Sequence, residues 1–243
     1  RSILGMTERK TTKDKPEPRW QALLALLAVS GIDLSLPSWL TLTPVWIFPS
    51  VILFLLVPSI VSHRIRRYRV NHFLGIAINV VLTVALLLSL VMLVRGIALQ
   101  KEKGMPLLIS GAELWLSNVL TFALWFWRLD GGGPNERTER AEFGSRSFVF
   151  PQMQLEKSQR STFGVKEKWG PAFIDYLFIA MMQSSTFGPT DAPILARWAK
   201  AMTMLQVLIS LTIVVLLISH AVGALSASRD CVCVLQRPGE FRP

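Results

Sequence analysis

Oxygen-bearing side chains cluster in one short stretch of an otherwise apolar region, QSSTFGPTD at residues 183–191. Hydroxyl, carboxylate and backbone carbonyl oxygens are the groups that replace water around a hard cation. Pro189 disfavours helical geometry at the preceding residue, so the helix before it should end near Phe187. The stretch predicts either a pore loop or a polar helix end followed by an external turn. The ion-path candidates are Ser184, Ser185, Thr186, Gly188, Thr190 and Asp191.

Asp33, Glu113 and Asp175 lie within or near the ends of apolar segments, and Glu113 and Asp175 are the intramembrane acidic candidates. Ionisable groups are expensive at membrane depth and by default indicate a function. For Glu113 the structural alternative is an ion pair with Arg95 or Lys200. Asp175 lies four residues after Pro171, so it can instead occupy the first turn of a helix, where a negative charge is stabilising.

The sequence contains none of the common enzyme motifs: no Gly-x-Ser-x-Gly, no phosphate-binding P-loop, no His-Glu-x-x-His and no Cys-x-x-Cys. His72 and His220 could both approach the same membrane face as haem ligands, but lone histidines are unspecific. Cys231 and Cys233 are one residue apart and poorly placed to bridge each other; we interpret them as free thiols, and the alternative is a lipidation or metal half-site. We therefore predict no enzyme, no cofactor and no metal site. A membrane enzyme or transporter using Glu113 and His220 is the weakest alternative.

The elements that must position these residues are membrane helices. Only 17% of the 243 residues are charged, against about a quarter in soluble domains. Residues 73–94 are uncharged, as are residues 201–228 apart from His220, and each run exceeds the roughly 20 residues that cross a bilayer. The fold class is therefore all-α, a polytopic helical membrane protein.

Six apolar segments lead to a prediction of six transmembrane helices. They are Trp20–Leu36, Pro37–Ser62, His72–Ala98, Pro106–Trp127, Trp169–Pro189 and Ala199–Ser226. The predicted regions are a polar tail (1–19), a four-helix transmembrane region (20–128), a cytoplasmic loop (129–168), a helix pair (169–228) and a C-terminal tail (229–243). The glycine-rich DGGGPNER is interpreted as a flexible part of the loop.

The net charge of +10 is interpreted as attraction to membranes rather than to nucleic acid, because the basic residues lie between apolar segments. If all six segments span with both termini cytoplasmic, 21 of the 26 lysines and arginines lie inside. We expect a multi-pass protein of the cell membrane that contacts anionic lipid at its basic loops. WFWR at 125–128 predicts an aromatic belt at the cytoplasmic interface.

Residues 175–210, DYLFIAMMQSSTFGPTDAPILARWAKAMTMLQVLIS, resemble the pore segment of small potassium channels. In those channels a pore helix leads into TVGYGD, a proline follows, and an apolar inner helix comes next. Thr186 and Asp191 match the threonine and the acid of that filter. Only one of its two glycines is present and its tyrosine is missing, so the resemblance implies a non-standard filter.

Over most of its length the chain also resembles a group of uncharacterised bacterial integral membrane proteins that contain DYLY…FT-ATAFSPTD…P. The shared features are a tryptophan-rich helix before a glycine-rich loop, here LWFWRLDGGGP, and FPQM, here at 150–153. This second resemblance implies no particular activity.

Together the residues and the resemblances predict a homo-oligomer with a re-entrant segment near residues 171–193. The multimer would conduct or bind cations at Thr186–Asp191, with Asp191 attracting the ion at the outer mouth. The alternative is a non-conducting accessory or assembly subunit of a membrane complex, whose basic loop docks a partner or anionic lipid.

Overall fold

The computed structural model describes residues 20–37, 40–41, 44, 46–65, 67–99, 105–134, 146–165, 169–188 and 191–235. Over these residues the protein is helical, with one isolated bridge between extended segments and no strand. The helices are α1 (Trp20–Ser35), α2 (Ile47–Arg64), α3 (Tyr68–Ala98), α4 (Met105–Leu129), α5 (Pro151–Gln154), α6 (Lys157–Thr162), α7 (Phe173–Thr186) and α8 (Arg197–Leu235). A 3₁₀ turn, Asp130–Gly132, follows α4. The predicted all-α fold class is confirmed.

Three helical stretches in the described part of the chain are long and apolar enough to cross a membrane. They are Arg69–Ala98, Met105–Gly132 and Arg197–Gly223. Trp20–Ser35 and Ile47–Ser62 are apolar but shorter. Large apolar side chains also point outward, including Phe54 and Phe73, which are 78% and 72% exposed. Contiguous apolar surface is unusual on soluble monomers, so the architecture is compatible with a membrane protein.

Helix α4 is the centre of the bundle and packs against α1, α3, α7 and α8. Its residues Ser117–Trp127 are all buried, as expected of an apolar helix surrounded on every side. Trp125 and Trp127 belong to this buried stretch, and Trp125 Nε1 donates a hydrogen bond to Thr83 Oγ1 of α3 at 2.8 Å. The predicted aromatic belt is therefore wrong, because these rings fill the bundle.

Contacts along α4 give the direction of its two C-terminal neighbours. Gly111, near the start of α4, faces Leu217 of α8, and Asn118 faces Ser210. Asp130, just after α4, contacts Tyr176 near the start of α7. Trp115 contacts Ser184 near the end of α7. Helices α7 and α8 are therefore both antiparallel to α4 and parallel to each other.

Two consecutive parallel helices require a connection that returns to the starting end, and residues 187–196 provide it. Ile194 forms an antiparallel bridge with Phe148. Val149 N–H donates to the Pro193 carbonyl at 3.1 Å, and Leu195 N–H donates to the Ser147 carbonyl at 2.8 Å. The chain after α7 therefore lies beside the segment that follows the glycine-rich turn.

The remaining helices alternate in direction. Ala22 of α1 lines a cavity together with Arg128, whereas Ser35 at the other end of α1 contacts Glu113. Asn71, early in α3, contacts Ser59, late in α2. We call the two ends of the bundle the Asp130 end and the Met105 end. Helices α1, α3, α7 and α8 begin at the Asp130 end, and α2 and α4 finish there.

The glycine-rich turn is ordered over residues 130–134, so the predicted flexible loop is wrong there; residues 135–145 lie outside the described chain. Asp130 and Gly131 are buried. Gly133 has a φ of 94°, and a Cβ atom added to it would lie 2.8 Å from the Arg128 carbonyl oxygen. This position requires glycine both for its backbone angle and for its close approach to α4.

Gly133→Ala should therefore destabilise the protein more than Gly164→Ala. Gly164 also has a positive φ, 66°, but has no atom within 4 Å of an added Cβ. Backbone strain should lower the free energy of unfolding by about 1–2 kcal/mol in Gly164→Ala. In Gly133→Ala it should lower it by about 1–3 kcal/mol, because a ψ of 175° places Gly133 in a region essentially restricted to glycine, and the steric contact should lower it by about 1–3 kcal/mol more. Unfolding of both purified variants in detergent measures the difference; equal losses would contradict the close packing.

Candidate functional site

Ser184, the first of the predicted ion-path residues, is fully buried in helix packing. Its hydroxyl accepts a hydrogen bond from Gln206 Nε2 of α8 at 2.8 Å. Its carbonyl oxygen accepts a hydrogen bond from Trp115 Nε1 of α4 at 3.4 Å. Ser184 therefore joins α7 to two neighbouring helices, and its polar atoms face the interior of the chain.

Ser185 and Thr186 are exposed at the end of α7. Their hydroxyl groups donate to the Met181 and Met182 carbonyls, at 2.8 and 2.7 Å respectively. A hydroxyl group that donates one hydrogen bond keeps its lone pairs as acceptors. Both oxygens can therefore still accept a hydrogen bond or coordinate a cation from outside the chain.

Helix α7 ends at Thr186, and Phe187 follows in the left-handed region with a φ of 52°. The predicted helix end near Phe187 is confirmed. Gly188 is half-buried, Asp191 is exposed, and Thr190 lies outside the described residues. Of the five predicted residues that the structure describes, Ser185, Thr186 and Asp191 present polar groups at the surface.

Asp175 lies in the first turn of α7, where its carboxylate accepts the Ala172 backbone N–H at 2.7 Å. Its predicted position at a helix N-terminus is confirmed. Thr186 is eleven residues further along the helix, about 16 Å at 1.5 Å per residue, so the structure does not bring these two residues together.

Glu113 is half-buried on α4 and accepts a hydrogen bond from Ser35 of α1 at 2.9 Å. Among the described residues it forms no ion pair with Arg95 or Lys200, so that structural alternative is wrong. Glu113 ties α1 to α4.

The two histidines lie at opposite ends of the bundle. His72 is beside Gly133 at the Asp130 end, whereas His220 follows Leu217, which packs against Gly111 near the Met105 end. The expectation that both approach one face is wrong, so the pair cannot ligate a single haem. The described residues contain no group of three or more His, Cys, Asp or Glu side chains that could hold a metal.

Asp130 is a functional candidate that the sequence did not reveal. Its side chain is completely buried. Its Oδ2 accepts the Tyr176 hydroxyl at 2.6 Å, and its Oδ1 accepts the Ser147 backbone N–H at 2.6 Å. A buried carboxylate requires such partners. The signal available in the sequence was an acid followed by three glycines directly after an apolar helix.

An aromatic cluster surrounds this carboxylate. The Phe148 ring packs against Phe126 of α4 at 5.1 Å, Tyr176 of α7 at 6.0 Å and Trp198 of α8 at 6.3 Å between ring centroids. Tilted and edge-to-face pairs at such distances are favourable beyond their buried area. The segment around Phe148 therefore holds the Asp130 ends of three helices together.

A second buried polar group links the same three helices nearer the middle. Gln206 Nε2 donates to the Ala180 carbonyl at 2.7 Å as well as to Ser184. Asn118 Nδ2 donates to Ser210 Oγ at 2.8 Å and to the Gln206 carbonyl at 3.2 Å. The sequence identified Asn118 and Gln206 as polar residues in apolar segments but not as partners. These neutral groups position helices and carry no acid–base chemistry.

Tyr176→Phe should destabilise the protein, because it removes a donor from the buried Asp130 carboxylate. A hydrogen bond to a charged group contributes about 1.5–3 kcal/mol, and the free energy of unfolding should fall by that amount. Ser161→Ala is the control, since it also removes one hydroxyl, from an exposed residue bonded to Ser158. If the two variants unfold alike in detergent, Tyr176 does not support Asp130.

No protein-family model, curated protein or solved structure matches this chain. Its function must therefore be inferred from the contacts within the chain.

Proposed function

We propose that this chain is a multi-pass protein of the cell membrane in which α7 and residues 187–196 form a re-entrant hairpin. Several copies would together conduct or bind a cation along the exposed oxygens of the hairpin. The observation that carries this proposal is the bridge between Phe148 and Ile194, because it returns the chain after α7 to the end of the bundle where α7 begins.

The length of α7 supports a hairpin rather than a span. Its 14 residues extend about 21 Å at 1.5 Å per residue, short of the roughly 30 Å hydrocarbon core. Non-helical backbone at membrane depth is tolerated where protein buries it or water lines it. In this arrangement α3, α4 and α8, which are long and apolar enough to span, cross the membrane, and the span predicted at Trp169–Pro189 becomes the hairpin.

The basic residues orient the hairpin. Residues 1–19, 63–71 and 128–168 carry six, four and eight of the 26 lysines and arginines. The helices next to these segments begin or finish at the Asp130 end. Arg197 and Lys200, which open α8, lie at this end too. The positive-inside rule places this end in the cytoplasm. Asp191 then lies at a cytoplasmic mouth instead of the outer mouth, and α8 leads away from the cytoplasm, so the chain termini fall on opposite sides.

A cation path requires more than one copy of the chain. Ser185 and Thr186 are exposed on the outside of a single bundle, so only neighbouring copies could enclose their oxygens. The carboxylate of Asp191 is also exposed, and a negative charge at a pore mouth raises the local concentration of cations. Ser184 plays no direct part in this path, because its hydroxyl is committed to Gln206.

That commitment of Ser184 is also the observation that favours the second candidate, a non-conducting accessory or assembly subunit. One of the hydroxyl groups assigned to the path serves helix packing instead. In this alternative the hairpin is a structural element, and the basic Asp130 end docks a partner protein or anionic lipid.

The hairpin is tested by labelling single cysteines with a membrane-impermeant thiol reagent, in a background with Cys231 and Cys233 replaced by serine. Gly170→Cys and Asp191→Cys flank the hairpin at exposed positions, and Leu99→Cys marks the Met105 end at a residue 64% exposed. We expect positions 170 and 191 to be labelled from the same side and position 99 from the opposite side. Labelling of 191 with 99 would show that α7 spans.

Conduction is tested by cation flux into proteoliposomes, after the oligomeric mass has been measured in nanodiscs. Asp191→Asn should lower the flux roughly tenfold at low ionic strength and less at high salt, where charges are screened. Glu156→Gln, the same change at another exposed acid, should leave the flux unchanged. Equal flux in both variants would remove the role of Asp191. A monomer without flux that copurifies with another protein would support the accessory alternative.

A further inference from the structure

A cavity of about 200 Å³ opens at the Asp130 end, between α1, α2, α3 and α4. Most of its wall is apolar and is built from side chains of all four helices. These are Ala22, Leu23, Leu26, Leu56, Ile60, Ile78 and Leu124. Ser59, Asn71, Asn79, Trp127 and Arg128 complete the lining.

Two asparagines place unpartnered donors in this cavity. Asn71 and Asn79 are each only 3% exposed, and the side-chain nitrogen of each has no hydrogen-bond partner. Asn71 Oδ1 accepts the Ser59 hydroxyl at 3.0 Å, so its amide group is left to donate. An unsatisfied buried donor is destabilising, and a hydrogen-bond acceptor bound in the cavity would relieve that penalty.

Arg128 adds a positive charge between these two amides. Its guanidinium group lies against Gly75, where an added Cβ would collide with it, and 5.5 Å from the centre of the Trp127 ring. Asn71, Gly75 and Asn79 are spaced four residues apart on α3, so they share one face of that helix. Gly75 therefore leaves room for the guanidinium on this face of α3, about one helical turn from each asparagine.

We infer that this cavity binds the phosphate group of an anionic phospholipid, with an acyl chain lying along the apolar wall. The side-chain nitrogens of Asn71 and Asn79, which have no hydrogen-bond partner, are donors, and no carboxylate belongs to the described lining. Hydrogen bonds from a guanidinium to phosphate are among the strongest in proteins. A free phosphate would use the same donors, but it would leave the apolar wall formed by α1 and α2 uncovered.

The experiment measures binding of phosphatidylglycerol to the purified full chain in detergent, by native mass spectrometry and by the shift in Tm. Phosphatidylcholine and inorganic phosphate are the comparison ligands. Asn79→Leu is the principal variant, because it removes an unsatisfied donor at similar volume. It should leave the Tm of the lipid-free protein unchanged or raised while weakening phosphatidylglycerol binding about tenfold. If Asn79 served only the fold, Asn79→Leu would not weaken phosphatidylglycerol binding while leaving the Tm of the lipid-free protein unchanged or raised.

Arg128→Gln and Gly75→Ala should weaken phosphatidylglycerol binding at least as much. Their matched controls are Arg95→Gln, an exposed arginine at the Met105 end, and Gly31→Ala, where an added Cβ meets no atom within 4 Å. Unchanged binding in Asn79→Leu would overturn the inference, as would equal binding of phosphatidylcholine. If inorganic phosphate raised the Tm as much as phosphatidylglycerol does, the lipid assignment would be overturned. The cavity would then be a site for a soluble phosphate.

Discussion

The buried carboxylate of Asp130 is the constraint on which the arrangement of the C-terminal half depends. A carboxylate removed from water must be hydrogen-bonded, and its partners come from Ser147 and Tyr176. Those two contacts fix the start of α7 beside the end of α4. They also hold the segment around Phe148 in position to pair with Ile194. The direction of α7 and the return of the chain to α8 are compatible with the hydrogen bonds that this acid requires, and the ring contacts of Phe148 hold the same helices together.

Local rules predicted the parts of this half that depend on neighbouring residues in the sequence. Pro189 correctly set the end of α7 near Phe187, and Asp175 was correctly placed in its first turn, because both effects act within one helical turn. The long apolar runs correctly predicted helices, although α2 begins only at Ile47, after the Pro44 region. These predictions needed no knowledge of what the helices pack against.

The sequence could not predict the features that depend on distant contacts. The direction of α7 is set by residues 146–150, which belong to a region whose charges and glycines are typical of a solvent-exposed loop. A tryptophan near the end of an apolar helix is equally suited to a headgroup interface and to a packed core. Trp125 is buried because neighbouring helices cover its ring and Thr83 accepts its hydrogen bond, and neither contact can be seen in the sequence. Asn118 and Gln206 were recognisable as polar residues, but their pairing requires α4 and α8 to be adjacent.

If α7 is a hairpin that enters the membrane from the basic end, the distribution of basic residues and the resemblance of residues 175–210 to a pore segment are both accounted for. A spanning α7 would place Arg197 and Lys200 across the membrane from the basic loop at 128–168, whereas a hairpin places them on the same side. The cavity that we propose binds a phospholipid lies at this end as well, since Arg128 is separated from Asp130 by one residue. A ligand that binds only the folded arrangement stabilises it by mass action. A phosphate held by Arg128 would therefore also stabilise the turn that presents Asp130 to Tyr176, linking the bilayer surface to the base of the hairpin.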